Sequence, residues 1–289
     1  DSDKPGISTT LSQGHRFGVR LEHKFSENTS ILFEPQFNFG SGHFNEISDF
    51  NTATRAKGAT VEQKETDGYN RNYGANDNWS TSGFLLLRQR LGKAGRTISA
   101  NIRYSFSNNR LDGFNQSETR KFQEGLTDIV NQRYNQKSNS SSLSGRLVYT
   151  EPIAKNLFLE ANYSYSWNRN HSQKSTYNSG SDTVYVYNEY LERNVLEYIV
   201  KDERPDLIYS NEITNLSQNH RAGVNFSYQL KKFRAQLGAS VNPTITHNET
   251  TGHDPYDNKV VNWSPQAMVF FNPNDNTNFR LFYFGRSAQ

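Results

Sequence analysis

Residues 157–168 read Leu-Phe-Leu-Glu-Ala-Asn-Tyr-Ser-Tyr-Ser-Trp-Asn, and apolar and polar positions alternate through nearly all of them. Leu157, Leu159, Ala161, Tyr163, Tyr165 and Trp167 fall in one phase. Glu160, Asn162, Ser164, Ser166 and Asn168 fall in the other, with Phe158 out of step. Successive side chains of a strand point to opposite faces, so the stretch predicts a strand with one oily and one wet face. Its length matches the roughly 9–11 residues with which a tilted strand crosses a bilayer. Its oily phase ends in aromatics, which settle where hydrocarbon meets headgroups.

The pattern recurs. Phe17, Val19, Leu21 and Phe25 share a phase, as do Ile31, Phe33, Phe37 and Phe39. Pro35 sits inside that second run and cannot donate to a ladder, which predicts a bulge or a gap in pairing. Residues 83–91 leave the phase open, because Leu85, Leu87 and Leu91 oppose Phe84 and Leu86. Ile98, Ala100, Ile102, Tyr104 and Phe106 then alternate with Ser99, Asn101, Arg103, Ser105 and Ser107. Further strands are predicted over 143–149, 157–168, 219–230, 233–241 and 263–271, with a last one beginning at Phe279. This makes about ten strands.

The connections alternate in length. Short turns fall at 26–30, 92–96, 151–156, 231–232 and 272–277; long polar segments fall at 45–78, 108–138, 169–217 and 242–258. Residues 1–14 read as a loop. Within 108–138, Phe122, Leu126, Ile129 and Val130 have helical spacing and admit a short amphipathic helix, although a loop joining strands that outrun the membrane is the preferred reading. Within 169–217, residues 183–191 and 194–202 predict a hairpin projecting beyond the membrane. An antiparallel up-and-down transmembrane β-barrel, with short periplasmic turns and long extracellular loops, has this rhythm. A soluble sandwich has strands of about 5–6 residues and no such asymmetry.

Mean hydropathy is −0.87 and 33% of the 289 residues are hydrophobic, without a run long enough for a transmembrane helix. A barrel strand hides its lipid face among polar neighbours, so this does not count against a barrel. Aromatics reach 13%, which suits strands and interfacial belts. The net charge of +3 is spread over scattered lysines and arginines, which gives no nucleic-acid footprint. With Cys 0, thiolate metal sites, disulfides and cysteine nucleophiles are excluded.

The candidate chemistry is thin. His247, His253, Asp254 and Asp257 share a polar segment, but their spacing fits no metal motif. The expectation is therefore no cofactor, no metal and no enzyme. Tyr185, Tyr187, Tyr190 and Tyr198 are weak ligand-binding candidates, and could equally be cross-strand pairs of the hairpin. Tyr104, Phe106, Tyr165 and Trp167 are expected in an outer lipid-facing belt. Phe233, Phe271 and Phe279, with Phe25 and Phe33, are expected near the periplasmic rim. Arg103 and Glu160 should face the lumen. Ile102→Arg should then be costly in lipid and Asn101→Arg mild.

Three places carry a family resemblance. Tyr149-Thr150-Glu151-Pro152-Ile153 runs into Phe158-Leu159-Glu160 and Tyr163. Ala222-Gly223-Val224-Asn225-Phe226 is followed by Gly238. Pro265 is followed by Asn278-Phe279-Arg280-Leu281-Phe282-Tyr283 and by Gly285-Arg286-Ser287. The second half of the chain thereby resembles the TonB-dependent outer-membrane receptors, within an outer-membrane β-barrel protein family. The resemblance implies a bacterial outer-membrane location and a 22-stranded barrel around an N-terminal plug. It also implies a short box that engages the TonB complex, and uptake of a scarce nutrient. Since this sequence shows no plug, box or closing strand, the expectation is one partial barrel domain over 1–289, a wall segment of a receptor. Its expected partners are outer-membrane lipid, its own plug, the remaining strands and TonB, with the substrate unassigned. Two other readings stand beside it: a ten-stranded barrel enzyme using His247, His253 and Asp254 at its rim, and a soluble β-rich binding domain.

Overall fold

The computed structural model describes residues 2–3, 6–55, 63–180, 182–274 and 276–285, so Arg286 and Ser287 lie outside the described residues. All its regular elements are strands: β1 (Ser2–Asp3), β2 (Gly6–Gly18), β3 (Leu21–Lys24), β4 (Thr29–Thr54), β5 (Gln63–Arg90), β6 (Thr97–Lys121), β7 (Leu126–Ala154), β8 (Leu157–Asn178), β9 (Val184–Asn188), β10 (Arg193–Glu197), β11 (Arg204–Gln229), β12 (Phe233–Thr250), β13 (Tyr256–Asn274) and β14 (Thr277–Phe284). Apart from the β9–β10 hairpin they form one antiparallel sheet in chain order. β1, β2 and β3 all pair with the same strand, β4. The sheet therefore has ten positions, matching the ten oily runs. Among the described residues no pairing joins the first position to the last, so the sheet has two open edges.

The short turns are where the sequence places them. Gly92 and Gly95 adopt positive φ between β5 and β6, and Asn156 does so between β7 and β8. Pro35 produces a gap and no bulge. The break between β2 and β3 lies opposite it, yet Gly18 faces Gln36 and Leu21 faces Phe33 in one unbroken register.

Most segments read as long loops are strand instead. β4, β5 and β7 run for 26, 28 and 29 residues, more than twice a bilayer crossing. Within 108–138 the chain turns only at 122–125, so Phe122, Leu126, Ile129 and Val130 do not form a helix. Residues 6–14 belong to β2, and 242–258 is strand apart from a turn at 251–255. Beyond the membrane both faces of a strand meet water, so the hydrophobic alternation disappears while the backbone ladder continues.

Register assigns the faces. Ile31, Leu87, Ala100, Leu147, Tyr163, Ala222, Val241 and Trp263 form one cross-strand row. The adjacent row on the opposite face reads Ser30, Arg88, Ser99, Val148, Asn162, Gly223, Ser240 and Ser264. The ambiguity of 83–91 is settled by this register: Leu85 pairs with Ile102 on the oily face, and Phe84 pairs with Arg103 on the polar one.

On β11 the exposure of the two faces is the reverse of a soluble protein's. On β11, Val224 and Phe226 are 46% and 48% exposed, whereas Asn225 and Ser227 between and beside them are only 5% and 7% exposed. No second layer covers the oily stripe among the described residues, which overturns the soluble-sandwich reading. Among the described residues the one buried apolar cluster consists of Tyr69, Val195 and Leu196, with Leu191 packed against it.

Candidate functional site

The polar face is held by hydrogen bonds between neighbouring strands and, above Gly238 of β12, between β11 and β13. Asn225 Nδ2 donates to Glu160 Oε1 (3.1 Å), and Gln266 Nε2 donates to Asn225 Oδ1 (2.7 Å). Asn242 Nδ2 donates to Ser264 Oγ (2.9 Å). The Arg103 guanidinium lies 4.5 Å from the Phe84 ring centroid, so this apolar side chain on the polar face acts as a cation–π platform.

On the oily face the aromatics gather at two levels. Phe233, Phe271 and Phe279, on three adjacent strands near the short turns, have successive centroid separations of 6.5 and 6.3 Å. Further along the strands, Tyr104 and Phe106 are 6.0 Å apart. Tyr104 lies across its cross-strand partner Gly83, where a Cβ would overlap the ring. The Tyr165 ring lies tilted against His220 at a centroid separation of 4.9 Å, and His220 Nδ1 is 2.8 Å from Tyr163 Oη. Trp167 is half-buried beside Leu143. Sequence reading missed Trp79, which sits 6.5 Å from Phe37 just past the end of the segment 45–78 read as loop.

The hairpin predicted within 169–217 exists as β9 and β10. It does not stand free of the sheet: it is laid on the outer extensions of β5, β6 and β7. Asn188 Oδ1 accepts the Tyr190 and Leu191 N–H groups to form its turn. Val195 and Leu196 are buried against Tyr69, whose Oη accepts the Leu196 N–H at 2.7 Å. Arg193 reaches Asp49 (3.3 Å) and Glu118 (3.9 Å). Behind it, Arg133 grips Glu203 with two nitrogens, at 2.6 and 3.2 Å, and Tyr198 Oη donates to the same carboxylate at 2.8 Å. The Arg133 guanidinium holds the Glu203 carboxyl below its ordinary range. Burial, with Glu203 alongside, pushes the Tyr198 phenol up to about 12.

The four candidate tyrosines are therefore not brought together. Tyr198 is 7% exposed and locked into the docking contact, with no ring face open to a ligand. Tyr185 faces Leu196 across the hairpin and bonds Glu118, while Tyr187 and Tyr190 are exposed. Tyr69, Tyr73 and Phe114, under or beside the hairpin, share the face of Leu85 and Ile102, so the hairpin covers the outward side and not the polar side. His247 is likewise separated from His253 and Asp254. Its ring nitrogens bond Asp257 (2.6 Å) and Glu249 (3.0 Å), which raises its pKa, and His253 lies in the following turn. Arg133 and Tyr69, which hold the hairpin, left no signal in sequence because their segments show no hydrophobic period.

A comparison with curated protein sequences finds no match. Among solved structures the chain is similar to the ferric-catecholate import receptor Fiu of Escherichia coli K12 (8% identity, TM-score 0.45, 98% of this chain and 50% of that one). It is also similar to the siderophore receptor PiuA of Acinetobacter baumannii (12% identity, TM-score 0.41, 94% and 47%). A third is BauA, the ferric preacinetobactin receptor of the same organism (7% identity, TM-score 0.42, 93% and 45%). The chain spans about half the length of each. A family model for outer-membrane β-barrels matches residues 89–289. An all-strand meander with one oily face bare and one polar face laced by hydrogen bonds, matched over most of its length by that family model, belongs to the outer membrane protein beta-barrel family of the bacterial outer membrane.

Proposed function

We propose that this chain forms part of the wall of an outer-membrane receptor that imports a scarce nutrient in a TonB-dependent way. The observation that carries the reading is the inverted exposure on β11: Val224 and Phe226 bare, Asn225 and Ser227 enclosed. An oily outer surface is stable only against hydrocarbon, and a hydrogen-bonded polar surface behind it suits a watery lumen. The two open sheet edges support a larger barrel, since every unpaired backbone group in lipid costs several kcal/mol. TonB dependence rests on the family resemblance of the sequence alone. In this reading Tyr104, Phe106, Tyr165 and Trp167 form the outer part of the lipid-facing belt, with Trp79 added. Phe233, Phe271 and Phe279 form the inner part, and the short turns face the periplasm.

The test uses the full protein in its native cell under nutrient limitation. Deleting either the receptor or TonB should abolish the same growth advantage. Growth that depends on the receptor but survives loss of TonB would refute energised import.

A further inference from the structure

The polar face is uncharged over a broad band. One cross-strand row, from β5 to β12, consists of Ser82, Ser105, Ser142, Asn168, Ser217 and Thr246. The next row outward consists of Ser80, Ser107, Ser140, Asn170, Asn215 and Asn248. Charged groups on this face border the band: Arg103, Arg146 and Arg221 toward the turns, Lys174 toward the outer end, and Arg16 on β2, which extends the Ser80 row through Asn38 and donates to Asn38 Oδ1. Along the strands the two rows cover about 13 Å and across six strands about 25 Å, from the ordinary strand spacings.

We propose that this band is the contact surface for a neutral, hydroxyl-rich ligand of the carbohydrate class. The proposal rests on the import reading and names its substrate class. Serine and threonine hydroxyls and asparagine amides each offer both a donor and an acceptor, which matches a sugar hydroxyl at every point of contact. A charged solute finds no counter-charge across the band, and stripping its water there would go uncompensated. Part of the band is self-bonded: Ser140 Oγ donates to Asn170 Oδ1 at 2.6 Å. A groove of about 360 Å³ nevertheless opens beside it, between Ser107, Ser140, Asn170 and Asn215.

The experiment measures binding to the full purified receptor by equilibrium dialysis. The probes are a neutral dextran hydrolysate and a size-matched, negatively charged alginate hydrolysate. The dextran oligomers should bind at least tenfold more tightly. Asn168→Ala and Ser142→Ala should each weaken that binding by about fivefold, the worth of one hydrogen bond. Ser142→Asp should weaken it without restoring affinity for the alginate oligomers. Heat-modifiable gel mobility shows that each variant folds; the wild-type preference stands as a measurement in its own right. Equal binding, a preference for alginate, or no binding of either set would overturn the proposal. The TonB-dependent growth advantage is read separately and would stand or fall on its own.

Discussion

Placing an arginine at Ile102 separates a lipid-facing sheet from a water-facing one. Ile102 is 45% exposed on the oily face, with Leu85 and Gly145 opposite it. It lies five residues from Thr97 at the start of β6, and a crossing takes roughly 9–11 residues, so it sits near the midplane. No carboxylate occupies its cross-strand positions. Arginine there should cost about 2–4 kcal/mol in a bilayer. At an equally exposed position in water the change would stay within about 0.5 kcal/mol. Asn101 is at the same depth on the other face, but arginine is the wrong control there. Asn101 faces Arg146 and its Oδ1 is 3.5 Å from Arg103 Nη1, so a third cation would be repelled. Asn101→Asp places a carboxylate between those two cations and should be neutral or stabilising. The assay is urea unfolding of the full protein in phosphatidylcholine vesicles, followed by tryptophan fluorescence. A cost for Ile102→Arg within about 0.5 kcal/mol, or an equal loss for Asn101→Asp, would refute the assignment of faces.

Three further outcomes follow from the same geometry. Leu196→Ala, at a 1% exposed position, should weaken hairpin docking by about 2–5 kcal/mol and show as faster proteolysis within 189–192. Hairpin docking should also depend on pH at both extremes, read by amide exchange of Leu196. The depressed Glu203 contributes stability that is present above its unfolded pKa and lost as pH falls through the folded one. The raised Tyr198 contributes stability that is complete below pH 10 and lost by about 12, so its absorbance titration should move back toward 10 in Glu203→Gln. Gly83→Ala should displace the Tyr104 ring at a cost of about 1–3 kcal/mol, and Tyr104→Ala should remove most of that penalty.

Within the membrane the sequence alone was enough to place the strands and their turns. Ten oily runs specified ten sheet positions, and Asn156 and the glycines of 92–95 marked their turns, because hydrocarbon on one side and water on the other imprint a period of two. Where both sides are wet that imprint vanishes, so the outer halves of β4 to β7 passed for loops, and a chance spacing at Phe122, Leu126, Ile129 and Val130 admitted a helix beside the preferred loop. Only pairing across strands could decide the phase of Leu85 against Phe84. Only contacts far apart in the chain could set Tyr69 under Leu196 and Arg133 on Glu203, turning Tyr198 from a ligand candidate into a buried strut. A solvent boundary acts on each residue where it stands, whereas register and docking depend on distant partners that no local pattern names.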